Sequence, residues 1–271
     1  MLTDTPFLAG TYDHLLVAVS VVIAACASYA ALDLAGQVTA ARGRVRVFWL
    51  IGGAASMGLG IWSMHYIGML AFSLPLPIRY DWPTVLVSLI VAMLAAAAAL
   101  YVVSRRVMSL WRAAAGSIVM GLGIASMHYI GMEAMRSAAM CVYNTRLVVV
   151  SVALAIVISY VALRLAFLAR EERQGTSVRK IGSATIMGLA IPVMHYTGMA
   201  AASFRLARVA PDVSHAISIT TLGAAGITIV TLMILALAVL TSVYDRRFSE
   251  QTLELESAEQ RYRQLFERSL A

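Results

Sequence analysis

Apolar residues occupy seven long blocks of the chain, near 12–36, 46–72, 83–104, 112–136, 146–168, 178–203 and 216–243. A helix needs about 20 residues to cross a bilayer, so each block predicts a transmembrane helix. The fold class that follows is an all-α membrane protein of seven spans. Between the blocks stand charged or proline-bearing pieces: "ARGRVR" (41–46), "LPLPIRYDWP" (74–83), "SRR" (104–106), "AREERQGTSVRK" (169–180) and "RLARVAPDVSH" (205–215). The run "LLVAVSVVIAACASYAALDLAG" is too long for the apolar core of a signal peptide and reads as a true span.

Basic residues orient the bundle. Arg42, Arg44 and Arg46 lie between spans one and two, and Arg105, Arg106 and Arg112 between three and four. Arg170, Arg173, Arg179 and Lys180 lie between five and six, and Arg246 and Arg247 follow span seven. The remaining connections are poorer in cations, with Arg79, then Arg136 and Arg146, then Arg205 and Arg208. Cytoplasmic loops collect Arg and Lys, so the N-terminus is expected outside and the C-terminus in the cytoplasm. Composition agrees: 61% of the 271 residues are hydrophobic and 13% charged, against roughly 25% charged in soluble domains. The net charge of +7 then reflects the loop bias, and no nucleic-acid partner is expected. Cys26 falls mid-span and Cys141 in a loop, which argues against a disulfide between them.

An internal repeat carries the chemistry. "MGLGIWSMHYIGM" (57–69), "MGLGIASMHYIGM" (120–132) and "MGLAIPVMHYTGM" (187–199) align without gaps. Two spans fill each period, so spans two, four and six run in the same direction and are expected around a common axis along the membrane normal. His65, His128 and His195 then share one depth near the outer face, and His14 and His215 map to the same side. The row Gly52, Ser56, Gly60 has the small-xxx-small spacing of close helix packing.

An imidazole in hydrocarbon is costly unless it faces the bundle interior and finds a partner. His65 and Met69 are four residues apart and share a helix face; the same holds for His128 with Met132 and His195 with Met199. Imidazole plus thioether is a soft-to-borderline donor set that suits copper, Cu(I) above all. Three histidines allow a trigonal site, which Met69, Met132 and Met199 complete or extend by a turn; His14 and Cys141, at the same outer end, are additional candidates. Taken one at a time, each methionine reads first as packing, and Glu133 and Asp33 read as capping or packing groups. The tail 244–271 is different in kind: Phe248, Leu255 and Tyr262 recur at seven, as do Ala258 and Leu265. That seam predicts a cytoplasmic helix that pairs in a homodimer. The domain division is therefore 1–243 for the membrane domain and 244–271 for a linker helix.

At the three motifs the chain resembles the MHYT family; Met194-His195-Tyr196-Thr197 spells its name, while Ile67 and Ile130 replace the threonine in the other copies. The resemblance covers roughly 8–243. It implies a multi-pass sensor of the bacterial inner membrane that binds copper near the outer face through His65, His128, His195 and the adjacent Met64, Met127 and Met194, and that senses O2, CO or NO. It further implies a cytoplasmic effector, a cyclic di-GMP synthase or hydrolase or a histidine kinase. "RYRQLFERS" (261–269) is similar to the opening of a PAS domain, so the chain is expected to be a truncated sensor module and not itself an enzyme. Two alternatives remain at this level. One is a zinc-dependent intramembrane hydrolase, with three histidines and a water on the metal, or a metal transporter; the other is haem held by a histidine pair.

Overall fold

The computed structural model describes residues 7–105, 107–169, 178–207 and 211–226, together with 228, 229, 232 and 236. The chain divides into two compact units, Met1–Val230 and Thr231–Ala271, the second lying almost wholly outside the described residues. Six long helices build the first unit: α1 (His14–Ala40), α2 (Gly43–Ala71), α3 (Trp82–Val103), α4 (Leu110–Glu133), α5 (Thr145–Ala169) and α6 (Val178–Ala201). All six are long and apolar enough to cross a membrane. The predicted seventh span opens as a strand at 216–218 and turns helical at 219–226. Its remainder lies outside the described residues, as do the heptad seam, the 243/244 boundary and the PAS-like stretch.

Hydropathy separates the helices into two classes. Mean hydropathy is 2.4, 2.6 and 2.4 for α1, α3 and α5, against 1.4, 1.4 and 1.2 for α2, α4 and α6, which are also the more buried. The greasier helices therefore face lipid and the motif helices face one another. Leu86, Ile90 and Leu94 lie in one exposed stripe along α3, and Val149, Val150, Val157 and Val161 are exposed on α5. In water such faces would drive aggregation; against acyl chains they cost nothing.

The ring closes in chain order, each helix packing on the next and α6 returning to α1. Lipid offers no hydrophobic drive between helices, so close approach through small residues does that work. Gly58 abuts the Met93 backbone on α3, Gly121 the Ile156 backbone on α5, and Gly188 the Ala25 backbone on α1. These are the second residues of the three motif copies, and a methyl group on any of them would strike main chain. Gly60 and Gly123 likewise admit Ala27 and Ala95 of the preceding helix. The expected row through Gly52 is corrected here: Gly52 is exposed with open space beside it, and Gly53, packed on Leu34 and Leu100, takes its place. The α1–α2 connection is only two residues long, and Gly43 meets it with φ 55°, a left-handed conformation that suits glycine.

Where loops were expected at the histidine end, eight short strands form a cap. These are β1 (Phe7–Leu8), β2 (Thr11–Tyr12), β3 (Phe72–Ser73), β4 (Arg79–Asp81), β5 (Met135–Arg136), β6 (Ala139–Tyr143), β7 (Ala202–Leu206) and β8 (Ala216–Ser218). They assemble antiparallel as β1-β7-β6, β2-β3 and β5-β4-β8. Chain leaving the even helices must bond its backbone groups near the bilayer edge, and pairing between neighbouring connections does so. Asp13, Asp81 and Asn144 then start α1, α3 and α5, each side chain accepting backbone N–H groups of the first turn.

Candidate metal centre

The three motif histidines meet on the axis of the ring. Nδ1 of His65 lies 3.1 Å from that of His195 and 3.2 Å from that of His128, and the last pair is 3.2 Å apart. The ring planes stand 84–89° to one another with centroids 5.0–5.1 Å apart, a three-bladed propeller. All three side chains are buried. The equal distances follow from the repeat: three helices with one sequence at one depth place the same atom at three related points.

Each imidazole is seated by a glycine of the next motif helix. Nε2 of His65 sits where a Cβ of Gly131 would be, that of His128 at Gly198, and that of His195 at Gly68. The glycine three residues after each histidine is thus the floor for a neighbour's ring. No Nε2 has a hydrogen-bond partner.

Tyrosines hold the arrangement from outside. Tyr66, Tyr129 and Tyr196 meet their adjacent histidines edge-on, with centroids 4.8, 4.9 and 4.8 Å apart. Their hydroxyls reach Ser88 on α3 at 3.5 Å, Ser151 on α5 at 2.7 Å and Ser20 on α1 at 3.0 Å. Each serine donates its own proton to the carbonyl three residues back, so the tyrosine is the donor. One turn further out, Tyr80, Tyr143 and Tyr12 of the cap pack on Tyr66, Tyr129 and Tyr196. Burial pushes the Tyr12 phenol up to about 12 and raises those of Tyr80 and Tyr143 as well, so all three stay protonated.

These groups expose a second repeat that the sequence reading passed over: "YDHLLVAVS" (12–20), "YDWPTVLVS" (80–88) and "YNTRLVVVS" (143–151). Cap tyrosine, helix cap and clamp serine recur in the frame of the histidines. The signal was present at 68- and 63-residue intervals but hidden by the variable apolar residues between.

The predicted ligands divide. Met64, Met127, Met194, Met69, Met132 and Met199 are all buried in the same core as the histidines. Among the described His, Cys, Asp and Glu residues, only His65, His128 and His195 form a group able to hold an ion. Cys141 lies in β6 opposite Phe204, its thiol pushed up by burial, and does not join them. His14 is exposed at the first residue of α1. Both, with His215, lie at the capped end, so the expected one-sided distribution of histidines holds, and the six methionines stay beside the three imidazoles in one core. Below them Ile61, Ile124 and Ile191, then Met57, Met120 and Met187, line an apolar cavity of about 20 Å³. Among the described residues that line it, Ser28 and Ser159 are the polar ones.

With mixed tautomers one Nδ1–H can donate to a neighbouring Nδ1 at 3.1–3.2 Å, but three like tautomers would set protons or lone pairs against one another, whereas a cation accepts all three lone pairs at once. The centre of the triangle lies about 1.8 Å from each nitrogen, close to the 2.0–2.1 Å of a zinc–imidazole bond, so a small outward shift or an ion just off the plane completes the fit. The residues therefore suit a metal ion. Each proton would then reside on Nε2 against the glycine floor. A porphyrin has no room between rings this close.

Residues 3–48, 58–116, 121–178 and 188–251 match the MHYT family, described as a bacterial signalling protein N terminal repeat. The chain is 43% identical over 245 residues to the bifunctional diguanylate cyclase/cyclic di-GMP phosphodiesterase MucR of Pseudomonas aeruginosa, covering 90% of this chain and 36% of that protein. It is 37% identical over 257 residues to the signaling protein YkoW of Bacillus subtilis, covering 94% and 32%, respectively. To the cyclic di-GMP phosphodiesterase NbdA of Pseudomonas aeruginosa it is 38% identical over 192 residues, covering 70% and 24%. The chain thus spans about a third or less of the length of these curated relatives. No solved structure matches it.

Proposed function

Because the chain belongs to the MHYT family of bacterial signalling repeats, a multi-pass sensor domain of the bacterial inner membrane, we propose that it binds one copper ion on His65, His128 and His195 and reports that ion's state to a cytoplasmic cyclic di-GMP effector. The repeats fill most of the 271 residues. The observation that carries the metal reading is the Nδ1 triangle, closed on itself and buried. Three imidazoles among thioethers, with no carboxylate in the group, favour Cu(I) over the harder ions. A zinc hydrolase would need substrate access and a general base, and this centre is sealed by the cap above and the apolar floor below. The same floor argues against a permease.

The route outward is short. Ser63, two residues before His65, donates to the carbonyl of Gly226 at 3.4 Å, and Gly223 packs on Leu70. The helix that begins at 219 therefore leans on the outer half of α2. A ligand shifts such a helix only as far as its affinities for two states differ; binding or loss of the ion, or of O2, CO or NO upon it, supplies that difference. The histidines lie on the periplasmic side in this reading, and two copies pair through the C-terminal helix. Equilibrium dialysis of the purified chain against Cu(I), Cu(II) and Zn(II) tests the site. One Cu(I) per chain, lost in each of His65→Ala, His128→Ala and His195→Ala, supports it; unchanged stoichiometry and affinity in all three variants rejects it.

A further inference from the structure

Below the histidine centre, the cavity of about 20 Å³ lies between the three motif helices and α1 and α5. The isoleucines form the wall nearer the histidines, Ile61 standing four residues, or about 6 Å, before His65 along α2. Met57, Met120 and Met187 form the far wall. Two hydroxyls interrupt this apolar lining: Ser28 of α1, 3% exposed, and Ser159 of α5, fully buried.

Three observations define the occupant. First, neither hydroxyl has a hydrogen-bond partner among the described residues. Ser20, Ser88, Ser117 and Ser151 each donate to the carbonyl three residues back on their own helix; Ser28 and Ser159 line the void instead. Second, the two serines are equivalent in the repeat. Each follows a clamp serine, Ser20 or Ser151, by eight residues, whereas Ala96 stands eight residues after Ser88. Two arms of the ring thus bring a hydroxyl to this level and the third brings a methyl. Third, about 20 Å³ admits one water, which needs roughly 10–15 Å³, but not two. A deeper cavity of the same size shares the three methionines, and its other walls are alanine, leucine and valine; apolar cavities of that kind stay dry.

We propose that the cavity nearer the histidines binds one water molecule between the Ser28 and Ser159 hydroxyls. Each hydroxyl offers one donor and two lone pairs, and a thioether is a weak acceptor. The water therefore finds two strong partners and a weak third, within the range of buried waters. An unpaired hydroxyl in hydrocarbon is costly, so the water belongs to the fold. A diatomic gas fills the volume but gives the hydroxyls no strong partner. The water joins α1 to α5, the two helices that flank α6. The inference goes beyond the metal reading and does not rest on it.

X-ray hydroxyl-radical footprinting of the full chain in nanodiscs tests it, because the radicals form where water lies. Met57, Met120 and Met187 are expected to oxidise to the sulfoxide several-fold faster than Met64, Met127 and Met194, which are buried away from the cavity. Ser28→Ala with Ser159→Ala leaves the cavity wholly apolar and returns the three to the slower rate. In reversible unfolding either single substitution raises the unfolding constant about threefold. The pair raises it little further, because one water serves both hydroxyls. Three outcomes each overturn the proposal: equal oxidation of the two methionine sets in the parent, unchanged oxidation in the double variant, or a double effect equal to the product of the two singles.

Discussion

A glycine decides whether each imidazole can reach the axis. At Gly131, a methyl group would occupy the space of the His65 ring, and overpacking of this kind costs about 1–3 kcal/mol. Gly131→Ala is therefore expected to lower the unfolding midpoint and to abolish metal binding while leaving all three histidines in place. Gly52→Ala is its control, because nothing lies within 4 Å of that position; the change should be neutral or stabilise by up to about 1 kcal/mol. The Tyr129–Ser151 bond at 2.7 Å offers a milder test. Tyr129→Phe should cost about 0.6 kcal/mol, the mean for such contacts in a bilayer, measured by reversible unfolding in mixed micelles. At this scale the histidines were legible, because three aligned copies of one motif announce one shared geometry. Their glycine seats were not: a glycine three residues after a histidine gives no hint that it serves the neighbouring copy.

Among the elements, the helices were legible to within a few residues, since apolar length and loop charge both mark them. The cap was not. Strands of two to five residues are too short to show an alternating pattern, and their partners come from connections far apart in the chain, as with β1 on β7 and β4 on β8. Asp81 ties cap to helix. Its carboxylate accepts the Thr84 hydroxyl at 2.6 Å and backbone N–H at 3.1 Å, with Arg136 at 3.9 Å. The Thr84 hydroxyl bond, with smaller help from its N–H group and Arg136, holds the Asp81 carboxyl below its usual range. A carboxyl depressed in the folded state stabilises above its unfolded value and loses that contribution as pH falls through the folded one. Asp81→Ala should thus cost about 1 kcal/mol at neutral pH, and the gap between variant and parent should close as pH drops below about 3.9. Asp81→Asn, which keeps an accepting oxygen without the charge, should lose the pH dependence of that gap; a variant that keeps it would show that the Asp81 charge is not its source.

The unit Met1–Val230 is a pseudo-threefold ring with one asymmetric addition. Three copies of Y-[D/N]-x6-S start the lipid-facing helices, three copies of the MHYT motif line the axis, and the helix beginning at 219 touches the Ser63–Leu70 stretch of one copy, α2. That break in symmetry singles out one of the three copies. The threefold axis was legible from the parallel repeats; the docking of the extra helix was not, because residues 216–226 carry no part of either repeat. The account stands or falls on the centre itself. X-ray absorption of the copper-loaded chain measures it most directly: three nitrogen scatterers at about 2.0 Å with imidazole outer shells, and one copper per chain, are predicted. Copper bound with the same spectrum after His65, His128 and His195 are all replaced by alanine would contradict it.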